Sequence, residues 1–103
     1  MGALTKIATV DQVSPGAAIC VEVKGKQIAL FNVDGSYYAI DNNCSHRGGP
    51  LSEGVCEGTV VTCPWHGIQF NLETGEPLGS LAVHGITAYS VTVEGDDLKI
   101  KIS

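Results

Sequence analysis

The chain has 103 residues and a formal net charge of −5, from six lysines and arginines against eleven aspartates and glutamates. A chain this short makes one domain and buries only about 60–65% of its unfolded surface, so a metal centre would matter to its stability. The acidic balance argues against a nucleic-acid partner, which requires lysine and arginine against phosphate. No apolar run reaches the ~18–20 residues of a membrane span, and Met1–Lys6 carries neither a signal-peptide pattern nor a myristoylation signal.

Taken in order, the elements read as β. Thr9–Gly16 holds at most one helical turn, with Asp11 as its expected cap. Ile19–Val23 alternates, Lys24-Gly-Lys26 turns, and Gln27–Val33 returns as a hairpin. Asp34-Gly35 suits a turn with positive φ and leads into Tyr37–Asp41. Thr59–Thr62 and Gly67–Leu72 flank a second turn-rich region, and Ile86–Val93 with Leu98–Ile102 makes a final hairpin of period-two alternation. Between Asn42 and Ser80 glycines and prolines crowd together. Segments 1–41 and 81–103 are therefore expected to form a base, and 42–80 a smaller inserted unit that carries the site.

The site is announced by two pairs. Cys44-x-His46 is followed, after a spacer of sixteen residues (47–62), by Cys63-x-x-His66. Nothing points to secretion, so the four cysteines do not read as a disulfide framework. Two thiolates and two imidazoles could hold a structural zinc. Zinc fingers, however, usually pair Cys with Cys and His with His, and here both pairs lie on turns. Gly48, Gly49 and Gly67 leave room for close backbone approach, which a loop packed on inorganic sulfide needs because sulfide accepts hydrogen bonds. Cys20 and Cys56 lack a neighbouring histidine and read as small buried hydrophobes. His84 lies outside both pairs and reads as a surface or loop histidine.

Cys44-Ser-His-Arg-Gly-Gly-Pro-Leu51 and Cys63-Pro-Trp-His-Gly-Ile-Gln-Phe-Asn-Leu-Glu-Thr-Gly75 resemble the two boxes of the Rieske iron–sulfur family. The resemblance implies an all-β fold, a Rieske-type antiparallel β-sandwich or barrel with a small inserted cluster-binding subdomain. It also implies one [2Fe-2S] cluster, with one iron held by Cys44 and Cys63 and the other by His46 and His66. Two ferric ions, two sulfides and two thiolates sum to no net charge, so an electron enters more easily than in a four-cysteine cluster. The class accordingly lies at roughly −150 to +300 mV, against about −400 mV for plant-type ferredoxins. The outer nitrogens of His46 and His66 would be the electron's way in and out.

The resemblance also assigns the neighbouring positions. Leu51 and Phe70 are expected as core beneath the cluster, and Trp65 as an aromatic that covers it and docks a partner. Arg47 either faces the partner or is simply solvated. Pro77–Ser80 falls where the family keeps a third, proline-containing loop, although many members have Gly-Pro where this chain has Gly79-Ser80. High-potential members place a serine and a tyrosine where this chain has Ile68 and Phe70. The inter-box disulfide of respiratory members falls on Gly49 and Trp65 and cannot form.

With no membrane anchor and no room for an oxygenase's catalytic domain, the expected protein is a cytoplasmic, monomeric electron carrier rather than an enzyme. It most resembles the ferredoxin component of bacterial aromatic-ring dioxygenase systems, taking electrons from an NAD(P)H-dependent flavin-containing ferredoxin reductase and passing them to a terminal oxygenase. The alternatives are a nitrite-reductase small subunit and a structural zinc module. Segment 41–76 carries Asp41, Glu53, Glu57, Glu73 and Glu76 against Arg47 alone, while all five lysines lie outside it. Basic partner surfaces are therefore expected to steer association.

Overall fold

The computed structural model describes residues 4–43, 50–64, 67–78 and 85–101. Among them eleven strands fall in the order β1 (Leu4–Thr9), β2 (Ala18–Val23), β3 (Lys26–Val33), β4 (Ser36–Asp41), β5 (Val55–Glu57), β6 (Val60–Thr62), β7 (Gln69–Asn71), β8 (Pro77–Leu78), β9 (Ala88–Tyr89), β10 (Val91–Glu94) and β11 (Asp97–Lys101). They build three antiparallel sheets, ordered β1-β11-β10, β2-β3-β4-β9 and β5-β6-β7-β8. Two short 3-10 turns, Val10–Gln12 and Leu51–Glu53, are the helical elements among the described residues. No helix there is long and apolar enough to cross a membrane.

The expected hairpins form. β2 pairs with β3 from Ala18↔Phe31 to Val23↔Lys26, and β3 with β4 from Ile28↔Asp41 to Val33↔Ser36. Both turns place two successive residues at positive φ, Lys24 at 51° with Gly25 at 81°, and Asp34 at 51° with Gly35 at 92°. This geometry matches the right-handed twist of the strands it joins.

β3 holds the middle of the molecule. Its residues 28–32 are all buried. Ala29 and Phe31 enter a core shared with Leu51, Val61, Cys63, Ile68, Phe70 and Leu72. Ile28 and Leu30 enter the opposite core, with Ala8, Val13, Leu98 and Ile100. A strand covered on both faces reads as a continuous apolar run, which is why Ile28-Ala-Leu-Phe31 shows no polar alternation.

The structure corrects three expectations. The N-terminal 3-10 turn is capped by Thr9, whose N–H donates to Gln12 Oε1 at 2.8 Å; Asp11 lies inside the turn and accepts from Thr9 Oγ1. Residues 86–93 are not one strand: the chain pairs with β4 at Ala88–Tyr89, leaves at Ser90 and pairs with β11 from Val91. The strands flanking the inserted region form two sheets. Cys20 is exposed on β2 rather than buried.

Candidate metal centre

Of the four expected ligands, Cys63 lies among the described residues; Cys44, His46 and His66 lie outside them, as do Arg47, Trp65, Gly79, Ser80 and His84. Cys63 is 1% exposed. It follows β6 directly. Its N–H donates to Ile68 O at 2.8 Å, and its own carbonyl accepts from Gly67 N at 3.0 Å. Gly67 closes this turn at φ 72°, a backbone region that side chains disfavour. Leu51, Ile68 and Phe70 pack with Cys63 in the same core.

The first box is rooted against the same wall. Asn43 and Pro50, on either side of residues 44–49, form an antiparallel bridge. Asn42 fastens both flanks: it is 4% exposed, its N–H donates to Gln27 O, and its carbonyl accepts from Leu51 N at 2.7 Å. Its side-chain Oδ1 accepts from Ser52 N at 2.8 Å. Gly54 then passes so close to Thr62 O that a side chain there would overlap it. The exit of the first box is thus held against the strand that delivers Cys63.

The chain after the third loop is tied in as well. Ile86 N donates to Gly75 O at 2.8 Å, and a Cβ on Gly75 would overlap Ile86 O. Asp41 N donates to Thr87 O at 3.0 Å, and Tyr89 OH donates to Asp41 Oδ1 at 2.8 Å. Sequence reasoning missed these fasteners. Gly75 is visible as the last residue of the second box, but its role needs the crossing of Ile86. Asn42 offers only the signal of an amide between an apolar strand and a glycine-rich segment.

Burial, then the hydrogen bond and negative charge of Asp41, keep the Tyr89 phenol protonated well above its usual range. The folded state therefore holds this proton more tightly than the unfolded chain. The resulting stability is present below about pH 10, where the unfolded phenol titrates, and fades as pH rises toward the folded value. Tyr89→Phe should lower stability by about 1.5 kcal/mol at neutral pH. In urea melts the gap to wild type should narrow above pH 10, and a gap that stays constant through pH 11 would show that the phenol does not carry it.

Desolvation raises the Cys20 thiol, with Glu22 and Glu53 adding to it, and burial raises Cys56. Among the described residues no group of three His, Cys, Asp or Glu side chains converges on a metal position.

A buried thiol in an all-β frame, entering a turn closed by glycine, suits a sulfur-ligated iron centre, where close backbone N–H groups are wanted. The chain belongs to the Rieske [2Fe-2S] domain family, whose domain its residues 3–90 match. It is 42% identical over 94 residues to the 3-phenylpropionate/cinnamic acid dioxygenase ferredoxin subunit of Escherichia coli (strain K12), covering 90% of this chain and 88% of the relative. The ferredoxin of carbazole 1,9a-dioxygenase from Nocardioides aromaticivorans IC177 superposes with a TM-score of 0.90 at 31% identity, covering 98% and 99% of the two chains. A second structure, a complex of reduced oxygenase and oxidized ferredoxin in carbazole 1,9a-dioxygenase, superposes at 0.87 with 28% identity, covering 98% of this chain and 94% of that one. The cofactor is one Rieske-type [2Fe-2S] cluster, and the chain is an electron carrier rather than a catalyst. A zinc module is thereby set aside.

Proposed function

We propose that this protein carries single electrons, in the cytoplasm, from an NAD(P)H-dependent flavin reductase to a terminal Rieske non-haem iron oxygenase that attacks aromatic rings. The observation that carries this reading is the end-to-end likeness to a dioxygenase ferredoxin subunit, over 90% of this chain and 88% of the relative. When bound, the cluster takes up and releases one electron at a time. The chain's part is to hold it without rearrangement: Asn42, Gly54 and Gly75 fix the roots of its loops, and Cys63 supplies a thiolate from within a packed core. Residues 42–80 act as the cluster-binding subdomain on a base of 1–41 and 81–103. Cys44 and Cys63 hold one iron, His46 and His66 the other.

Iron and sulfide analysis of the purified protein should give two of each. Alanine at any of Cys44, His46, Cys63 or His66 should abolish the visible absorption of the oxidised protein, whereas Cys20→Ser and Cys56→Ser should leave it intact. Bleaching by either serine substitution would overturn this ligand set. Purified carrier, mixed with a flavin reductase and NADH, should support turnover of an aromatic-ring oxygenase that is inactive without it.

A further inference from the structure

Register through the sheet β5-β6-β7-β8 places Val55, Thr62, Gln69 and Leu78 opposite one another in a single row, through the pairs Val55↔Thr62, Thr62↔Gln69 and Gln69↔Leu78. The residues between them, Cys56, Val61, Phe70 and Pro77, form the row of the other face. Val61 and Phe70 are fully buried there. The first row therefore looks outward. It is also the row nearest the cluster turn, since Thr62 precedes Cys63 and Gln69 follows Ile68.

The chemistry of this row is unusual for a solvated sheet. Val55 is 63% exposed and Leu78 38%, and they stand on the two edge strands, β5 and β8. Soluble proteins ordinarily guard such edges with charge. Between them Gln69 Nε2 donates to Thr62 Oγ1 at 3.3 Å, so the centre of the row is neutral and its polar groups answer one another. Two residues further from the cluster turn, on the same face, comes the row Glu57, Val60, Asn71, with Glu76 beside Asn71 through the bond from Asn71 N to Glu76 O. Glu57 and Glu76 are exposed. The face is thus a neutral shelf about 14 Å wide (three strand spacings), with a carboxylate set back at each side and no lysine anywhere in residues 42–80.

We infer that this row is the docking shelf for the electron acceptor, resting on the function proposed above. The partner surface it fits is an uncharged, partly apolar strip beside the oxygenase's own redox centre, flanked by lysine or arginine that meets Glu57 and Glu76. An apolar contact ringed by complementary charge suits a carrier that must find its partner quickly and then leave: the charges raise the encounter rate, and the small neutral strip fixes the orientation.

The test uses the full-length holoprotein with either Val55→Ser/Leu78→Ser or Val55→Lys/Leu78→Lys. Both positions are exposed, so retained cluster absorbance and melting temperature confirm an intact fold. Turnover of two purified oxygenases, those of the E. coli 3-phenylpropionate system and of carbazole 1,9a-dioxygenase, is followed against carrier concentration. Oxidation of the reduced carrier by ferricyanide, which needs no protein docking, is measured beside it. The KM for the carrier should rise about tenfold in the serine variant and further in the lysine variant, with kcat and the ferricyanide rate within about twofold of wild type. An unchanged KM overturns the inference while leaving the functional reading intact. So does a rise confined to the reductase step, which would give the shelf to the donor. Wild-type carrier that accepts electrons from a reductase yet delivers none to either oxygenase overturns the functional reading, and the shelf's assignment with it.

Discussion

Gly75→Ala is expected to cost about 2–5 kcal/mol and to empty the cluster from much of the purified protein. Two penalties coincide at this position. Gly75 sits at φ 79°, where a residue with a Cβ loses about 1–2 kcal/mol. The added carbon would also overlap Ile86 O, and forcing extra volume into a packed site costs typically 1–3 kcal/mol. The neighbour is backbone, held by the bond from Ile86 N to Gly75 O, so it cannot swing aside as a side chain would. Gly58→Ala supplies the comparison. Gly58 has φ 60°, and no heavy atom lies within 4 Å of where its Cβ would stand, so only the conformational penalty applies there. Urea melts of the two variants should separate by at least about 1 kcal/mol, with Gly75→Ala the weaker. Equal stability of the two would mean that the Gly75–Ile86 crossing relaxes freely and fixes nothing.

The second large effect is on the reduction potential. Ile68 is 3% exposed and Phe70 0%, both packed in the core that contains Cys63. Where high-potential members of the family have hydroxyl donors, this chain offers hydrocarbon. A hydrogen bond worth about 1.4 kcal/mol to the reduced form raises a one-electron potential by ~59 mV. With two donors missing, the midpoint should fall by roughly 100 mV, toward the −150 mV end of the class range. Voltammetry at pH 7 should give a value below zero, and Ile68→Ser should raise it by about 60 mV. A midpoint above zero in the wild type would contradict a carrier fed from NADH, because such a protein is poised for donors of higher potential.

Local chemistry was legible in the sequence where it settled the structure. The turns at Lys24-Gly25 and Asp34-Gly35 announced the two hairpins, and the resemblance of the two boxes placed Leu51 and Phe70 in the core. What escaped depends on distant partners. β1, β5 and β8 are strands because β11, β6 and β7 lie beside them, and the three residues of β5 or two of β8 give no periodicity to read. The break at Ser90 is equally silent, since Ala88–Tyr89 and Val91–Glu94 alternate as one run and differ only in the sheet that claims them. Cys20 was expected in the core because free cysteine so often packs as a small hydrophobe, but it stands opposite Ile19, Val21 and Val23 on β2, and that side is left open. At the metal centre the spacing of cysteine and histidine carried the chemistry. The clamps at Asn42, Gly54 and Gly75 belong to the tertiary fold, and no spacing encodes them.

The double burial of β3 bears on how the protein comes apart. One strand is party to both cores, through Ala29 and Phe31 on one side and Ile28 and Leu30 on the other. Neither core can lose it without exposing the other, so the two melt as a single cooperative unit instead of as separable foldons. Damage at the iron–sulfur end is consequently felt at the far terminus: a carrier stripped of its cluster is weakened throughout, and quality-control proteases meet an opening of the whole chain rather than a frayed tip.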